Sequence, residues 1–228
     1  MPATYSCAVD GTGCGSAWSK SLSDVIDGVY RRDRRLVDHG LRFPWLEGFL
    51  GDPNSPVWFI EWYPSTRAVK SIHSPSATCE AQWLATSGDK LFRSNLIRTG
   101  LKSGTVESPG GWHCYITDLV KADALPAEWD SSSPELRRRA YESWLPVLTW
   151  EFANGKPEVI VASGHAVAQR LTDIWPALES ASGRRLQRAQ VLHHAFFNRG
   201  GDSPANRARY AAEFDAVMDL LETIRTTS

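Results

Sequence analysis

Residues 114–121, CYITDLVK, decide the fold, because an apolar run there ends on the carboxylate of Asp118. Three other short apolar runs also end in polar or turn residues: VWFIEWYP at 57–64, PEVIVASG at 157–164 and VLHHAFFNR at 191–199. Buried parallel strands have this pattern, and they present polar side chains at their carboxyl ends. The runs therefore predict four strands with a site at one edge of their sheet.

Helical patterns separate these runs. Start and stop signals predict helices over residues 87–98, with Ser87 as N-cap, over 133–154 and 163–171, and from residue 203 onward. The last helix carries four large apolar side chains on one face: Tyr210, Phe214, Val217 and Leu221. Such alternation implies a parallel sheet between helices. The predicted fold is α/β, with three α/β/α layers around a central, mainly parallel four-stranded sheet.

The composition is that of an ordinary globular domain: 228 residues, 42% apolar and 22% charged, with a net charge of −1. We expect one domain over residues 1–228, with residues 1–56 as an N-terminal lead-in packed on it and a helical segment near 22–39. The apolar runs are too short for a membrane span, and the start lacks the pattern of a secretory signal. We expect no membrane contact, a cytoplasmic location and a monomer.

The near-neutral charge argues against a general nucleic-acid coat protein, but arginines are clustered. They lie at residues 31–35, 137–139 and 184–188, and after the last run at 199–209. The planar guanidinium can bind two phosphate oxygens, so these clusters are candidate phosphate contacts. The alternative is that each cluster is a solvated helix face.

Cysteine spacing gives little sign of a bound group. The four cysteines show no CxxC pair, and with two histidines they form only a scattered set of possible metal ligands: Cys7, Cys14, Cys79, Cys114, His73 and His113. No GxxxxGK[ST] or GxGxxG pattern follows a predicted strand. We expect reduced thiols, no metal and no cofactor.

The four runs, in this order, resemble the motifs of the uracil-DNA glycosylase superfamily over about residues 57–200. Asp118 falls where members commonly carry the asparagine that reads uracil. His194 falls at the histidine of the His-Pro-Ser motif, which hydrogen-bonds the pyrimidine O2 as the glycosidic bond breaks. The Pro and Ser of that motif are replaced here by Ala195 and Phe196. The resemblance implies a glycosylase that acts on a flipped base of double-stranded DNA, with His194 as a catalytic residue.

The run at 57–64 corresponds to the first motif of the superfamily but differs from it more strongly. If Pro64 is the anchor, Tyr63 stands where uracil-specific members carry a water-activating aspartate. Ser65 stands where a bulky tyrosine excludes the methyl group of thymine. Both are candidate base-binding residues, and the small Ser65 leaves space beside C5. Glu61 is the carboxylate of this motif; it either activates water or is a salt-bridged residue at a strand end.

The loop after His194 is where the superfamily inserts an apolar side chain into the base stack. This chain offers Phe196 and Phe197 beside Asn198 and Arg199, and apolar wedges next to a cationic phosphate contact suit that task. We expect at least one of the two phenylalanines to pack in the core instead.

Three further residues are candidate contacts. Trp83 lies where relatives carry an aromatic residue that stacks on the flipped base, although most of the ten tryptophans must be structural. Ser163 and His165 flank a glycine at a predicted helix start, where backbone N–H groups can bind a phosphate. A simple packing turn is the alternative for that segment.

Asp118 allows the substrate to be argued from chemistry. An ionised carboxylate only accepts hydrogen bonds, and the cytosine N4 amine is the pyrimidine donor that matches it. Cytosine N3 is also an acceptor, so the fit requires a proton on Asp118 or on the base. Together with the open C5 side at Ser65, this predicts a C5-modified, hydroxymethylated or glucosylated, cytosine of phage DNA.

Such an enzyme would be similar to anti-phage glycosylases of the bacteriophage-replication-inhibition type. We expect a monofunctional reaction, because Lys121 resembles a superfamily lysine that forms no Schiff base. Iron–sulfur members carry cysteines that this chain lacks at the matching positions, so no cluster is expected. The alternatives are a uracil-DNA glycosylase of base-excision repair and, from another class, a catalytically inactive nucleic-acid-binding module.

Overall fold

A computed structural model describes residues 17–32, 49–62, 86–108, 110–121 and 133–227. It contains five strands: β1 Phe49–Gly51, β2 Val57–Glu61, β3 Tyr115–Asp118, β4 Val159–Ser163 and β5 Gln187–Val191. The α-helices are α1 Ala17–Arg32, α2 Ser87–Arg98, α3 Pro134–Asn154, α4 His165–Ser182 and α5 Pro204–Thr227, and a 3-10 helix spans His194–Arg199. None of the helices in these ranges combines the length and apolarity that a membrane crossing requires.

The strands form a single sheet in the order β1-β3-β2-β4-β5. The pairs β3–β2, β2–β4 and β4–β5 are parallel, whereas β1 runs antiparallel to β3, with Leu50 opposite Ile116. The mainly parallel sheet is therefore confirmed, but the predicted number of four strands is wrong. The additional strand is β1, which lies in the predicted lead-in and has three residues, too few for a periodic signal.

The position predicted for the last strand is also wrong. The strand is Gln187–Val191, and most of the apolar run after it is the 3-10 helix His194–Arg199. Because β5 lies at the sheet edge, Arg188 and Gln190 are exposed to solvent, and the sequence of the strand is not a continuous apolar run. The polar side chains of that run therefore follow the strand on a separate turn.

Alternate residues of the sheet face two separate cores. In the first core, Trp58 and Ile60 of β2 pack with α1, α3 and α4. In the second core, Val57 and Phe59 of β2 pack with α2 and α5. Successive side chains of a strand point to opposite faces, so helices cover both sides of the sheet. This arrangement is consistent with the predicted three α/β/α layers.

Helix boundaries agree with the sequence signals in part. Helix α2 spans Ser87–Arg98 as predicted, but its N-cap is Thr86, which forms a capping box with Asp89. Helix α4 continues to Ser182, well beyond the predicted end. The predicted face of α5 is buried, as its four apolar side chains contribute to the second core: Tyr210, Phe214, Val217 and Leu221.

A buried polar network joins β3 to α1 and α3. Glu151 Oε1 accepts hydrogen bonds from the Tyr115 hydroxyl (2.6 Å) and the Thr117 hydroxyl (2.7 Å). Its other oxygen lies 3.1 Å from Lys121 Nζ, and both side chains of this ion pair are almost inaccessible to solvent. Trp18 Nε1 donates to the Tyr115 hydroxyl at 3.1 Å. The charges in this network are paired, so it can anchor the end of β3 without an added ligand.

Replacing Lys121 with Met should lower the free energy of unfolding by about 3 kcal/mol, because Glu151 is left as an unpaired charge in the core. Urea denaturation measures the change. The matched control is Asp215→Ala, which breaks the exposed Arg98–Asp215 pair and should change stability by less than about 1 kcal/mol. Equal effects of the two variants would contradict this role for the network.

Candidate functional site

Three strands deliver polar side chains to one edge of the sheet. Glu61 ends β2, Asp118 ends β3, and Ser163 ends β4. Glu61 and Asp118 are register partners across the β2–β3 pair, and each residue is 2% exposed. The parallel sheet thus brings together two carboxylates that are 57 positions apart in the sequence, since residues 61 and 118 are aligned. Sequence reasoning placed both at this edge.

The turn after β5 adds two histidines. His193 Nε2 lies 3.3 Å from Glu61 Oε2, and His194 Nδ1 lies 3.7 Å from Glu61 Oε1. The two rings are stacked, with centroids 4.5 Å apart and an interplanar angle of 26°. His194 was predicted as a site residue, whereas His193 was not. Glu61 therefore lies beside two imidazole rings and one carboxyl group.

Asp89 is a site residue that the sequence analysis missed. Its Oδ1 lies 3.2 Å from His194 Nε2, and the residue is 7% exposed. Its Oδ2 accepts a hydrogen bond from the Thr86 N–H at 2.8 Å, within the capping box of α2. The pattern T-x-x-D identifies a helix start, but nothing in it indicates a long-range contact with a histidine.

The start of α2 is fixed against the 3-10 helix by close packing. Asn198 Oδ1 accepts hydrogen bonds from the Gly88 N–H (2.9 Å) and the Ser87 hydroxyl (3.0 Å). A Cβ atom on Gly88 would lie 2.2 Å from the carbonyl oxygen of His194. Only glycine allows this approach. The distance between Asp89 and His194 is therefore set by backbone packing as well as by charge.

The tautomer of His193 follows from its hydrogen bond. The Ala195 N–H donates to His193 Nδ1 at 3.0 Å, so Nδ1 holds a lone pair and the proton is on Nε2, near Glu61. Burial lowers the pKa of His193 to about 4, with further lowering by His194 and Arg199, although Glu61 opposes it. His193 is thus a neutral ring at neutral pH.

Glu61 and His194 form a pair of opposite charge. Burial opposes the ionisation of Glu61, but the charges of His194 and His193 and the hydroxyl of Ser163 hold its pKa below the ordinary value. Burial likewise opposes a charge on His194, whereas Glu61, Asp89 and Asp118 together raise its pKa. Near neutral pH the site therefore favours an anionic Glu61 beside a cationic His194.

The pKa of Asp118 is shifted in the opposite direction to that of Glu61. Burial raises its pKa well above the ordinary range, and the charges of Glu61 and Glu151 raise it further, while Lys121 and His194 oppose the shift. Two neighbouring carboxylates in a buried site cannot both ionise cheaply. Burial beside Glu61 therefore favours the protonated form of Asp118. Its Oδ2 has no hydrogen-bond partner within the described part of the chain.

The same groups resemble a metal site in spacing but not in proton placement. Ligand atoms of Glu61, His193 and His194 lie within 4.8 Å of one another, the one such group found among the described residues. A metal at this position would need the lone pair of His193 Nε2. The bond from Ala195 to Nδ1 places a proton on Nε2 instead. The histidines are thus arranged for proton contacts with Glu61.

The residues predicted to contact DNA are divided between core and surface. Phe197 is 5% exposed in the second core, whereas Phe196 is 42% exposed and is the large apolar side chain that the described surface presents to solvent. This agrees with the expectation that one of the pair is structural. Arg199 is exposed, while the amide of Asn198 is used to hold α2.

The helix start after β4 has both a buried and an exposed side chain. Ser163 is buried beside Glu61, so its hydroxyl faces the site rather than the surface. Gly164 is the N-cap of α4 without a side-chain cap bond, and His165 is exposed at the first position of that helix. Tyr63, Ser65 and Trp83, predicted to bind the base, lie outside the described residues.

The arginine clusters are only partly described. Arg138 and Arg139 bond to Glu135 on an exposed face of α3, and Arg138 also bonds to Glu142. This supports the solvated-face alternative for that cluster. The side chains of residues 31–35 lie outside the described part.

The cysteine expectation is also tested only in part. Cys114 is a buried free thiol, whereas Cys7, Cys14 and Cys79 lie outside the described residues.

No protein-family model matches the chain, and a search of curated proteins gives no match. The resemblance to the uracil-DNA glycosylase superfamily thus stays a prediction that rests on the sequence motifs.

Replacing Gly88 with Ala should lower the free energy of unfolding by about 1–3 kcal/mol, because the new methyl group overlaps the His194 carbonyl. Urea denaturation tests this. Gly28 in α1 is the matched control: a Cβ there meets open space, so Gly28→Ala should stabilise by about 0.5–1 kcal/mol. A neutral Gly88→Ala would mean that α2 and the 3-10 helix are not in tight contact.

Proposed function

We propose that this protein is a monofunctional DNA glycosylase that excises a flipped pyrimidine, most specifically a C5-modified cytosine of phage DNA. The observation that carries the proposal is the meeting of Glu61, Asp118 and His194 at the carboxyl edge of the sheet. An anion, a neutral acid and a cation are thereby placed within one buried site. Base excision can use all three: a donor where negative charge develops, a carboxylate that orients water and a polar contact with the edge of the base.

Glu61 and His194 have complementary parts in the reaction. As the bond between N1 of the base and C1′ of the sugar breaks, its electron pair moves onto the base, and negative charge develops at O2. His194 donates a hydrogen bond to that oxygen. Water adds to C1′ and loses a proton to Glu61, whose low pKa makes it better at orienting and stabilising the water than at early proton abstraction.

Asp118 supplies the contact with the edge of the base. As a neutral acid it donates from its hydroxyl to cytosine N3 and accepts at its carbonyl from the N4 amine. The proton that the cytosine fit requires is therefore supplied by the protein. A neutral acid can also pair with uracil, by donating to O4 and accepting from N3–H. Discrimination between a C5-modified cytosine and uracil then rests on the C5 side of the base, beside which Ser65 is predicted to lie.

Phe196 and Arg199 extend the proposal to the duplex. Both are exposed on the 3-10 helix that carries His194, so a side chain inserted into the base stack would lie next to the catalytic histidine. A wedge coupled in this way to the catalytic group holds the base out while it is bound. Exposed His165 at the start of α4 is a further candidate phosphate contact.

The central test is base release from three matched duplexes containing glucosylated hydroxymethylcytosine, uracil or unmodified cytosine. We expect release from the first alone, and His194→Ala should lower the rate by about 10²–10³-fold through loss of the donor to O2. Release from uracil alone would favour the repair alternative. Tight binding without release from any duplex would favour the inactive binding module.

A separate prediction concerns the protonation of Asp118. Asp118→Asn keeps one donor and one acceptor, so it should retain most of the activity at pH 7, whereas Asp118→Ala should lose roughly 30-fold with its two hydrogen bonds. The neutral form of Asp118 is lost as pH rises through its raised pKa, so the Asn variant should keep base binding at a higher pH than the wild type. Binding to an uncleavable substrate duplex over a pH series measures this. Poorer binding by the Asn variant at every pH would contradict a neutral Asp118.

A further inference from the structure

Both ring nitrogens of His194 face a carboxylate. Nδ1 lies 3.7 Å from Glu61 Oε1, and Nε2 lies 3.2 Å from Asp89 Oδ1. Glu61 and Asp89 are both buried. A neutral imidazole has one N–H group and one lone pair, so it would have to direct its lone pair at one of these two anions. Only the doubly protonated ring presents a donor to each.

We infer that Asp89 is a positioning residue that holds His194 as a doubly protonated, cationic donor, with Nε2–H committed to Asp89 and Nδ1–H left for the substrate. The distance of 3.7 Å from Nδ1 to Glu61 is too long for a hydrogen bond, and Nδ1 has no other hydrogen-bond partner within the described residues. The inference rests on the proposed function for what Nδ1–H contacts, but the charge of His194 is a property of the protein alone.

Asp89 is fixed at both of its oxygens. Oδ2 is held by the Thr86 N–H in the capping box, so Oδ1 remains for His194. The backbone N–H of Asp89 is in turn bonded to the Thr86 hydroxyl at 3.1 Å. A carboxylate held in this way has lost its rotational freedom on folding, so its contact with the histidine requires little further ordering.

The other groups around His194 do not replace this contact. In the described part of the chain, five titratable side chains act on the ring or on its carboxylates: Glu61 of β2, Asp118 of β3, Asp89 of α2, Tyr210 of α5 and His193, which precedes His194. The pKa values of Asp118, His193 and Tyr210 are all shifted in the direction that favours the neutral form. Among the described residues, Glu61 and Asp89 are the carboxylates that face the two ring nitrogens of His194.

A cationic donor suits the chemistry better than a neutral one. The base leaves with the electron pair of the N1–C1′ bond, so negative charge appears at O2 in the transition state. A charge-assisted hydrogen bond to that oxygen is about twice as strong as a neutral one. Asp89 acts through His194 and touches no substrate atom in this scheme.

The direct test is the ¹⁵N NMR spectrum of the imidazole groups in the full chain, with the His194 signals assigned by their loss in His194→Gln. We expect both nitrogens of His194 to be protonated at pH 7.5. In Asp89→Asn the carboxylate charge is lost while the shape is kept, so the titration midpoint of His194 should fall by at least about one pH unit. A neutral His194 in the wild type, or an unchanged midpoint in Asp89→Asn, would overturn the inference.

Thr86→Ala separates this effect from helix capping. It removes the partner side chain of the capping box but leaves the Asp89 charge, so it should lower the urea midpoint while the His194 titration stays unchanged. If Thr86→Ala shifts the titration as much as Asp89→Asn does, Asp89 acts only by stabilising the helix, and the inference fails.

The rate of base release provides a second test of the charge on His194. In single-turnover base release, Asp89→Asn should match the wild type near pH 6, where His194 is protonated in both proteins. At pH 8 the variant should be about tenfold slower. The alkaline limb of the pH–rate profile should differ between the variant and the wild type by as much as the His194 titration midpoint measured by NMR. If no duplex releases a base, the proposed function fails, while the NMR result still decides whether Asp89 holds the charge of His194.

Discussion

The burial of two carboxyl groups side by side is the constraint on which the site depends. The parallel register of β2 and β3 places Glu61 opposite Asp118, and both lie out of contact with solvent. Two ionised carboxylates at this separation would repel each other strongly in a medium of low polarity. The protein resolves the conflict unequally, because burial and the neighbouring carboxylates raise the pKa of Asp118, whereas two imidazole rings lower the pKa of Glu61. This asymmetry gives two residues of similar chemistry different roles.

Close backbone packing keeps the histidines beside Glu61. Gly164 has a φ of 90°, and a Cβ there would lie 3.0 Å from the Cβ of His193, so the start of α4 can approach the turn after β5. Gly88 allows the same approach from α2 on the other side. The rings are thus held between two helix starts, which explains how a short 3-10 helix after an edge strand can hold two histidine rings in place.

The amino-acid sequence predicts those parts of the fold whose residues are buried on both sides. The runs that form β2, β3 and β4 are continuously apolar, so their ends at Glu61, Asp118 and Ser163 could be read directly. Strand β5 could not, because its exposed edge makes it polar, and β1 is too short to show a period. Asp89 was missed for a different reason: its T-x-x-D pattern is fully explained by local capping, and only the tertiary packing of α2 reveals its second contact.

A structural network of ion pairs is the main alternative explanation of these buried charges, and strand β3 itself argues against it. Thr117 faces the network around Glu151, where each charged group has a partner of opposite charge. The next residue, Asp118, lies at the site, where its Oδ2 and Nδ1 of His194 are buried polar atoms without a hydrogen-bond partner in the described part of the chain. A buried polar atom without a partner costs about 1–3 kcal/mol. One strand thus carries a pair of opposite charges on one face and, at its end, a cluster in which two carboxyl groups are neighbours. Stability alone would favour opposite charges in both places, so the cluster is better explained as a functional site, which the proposed function would fill with a base and a water molecule.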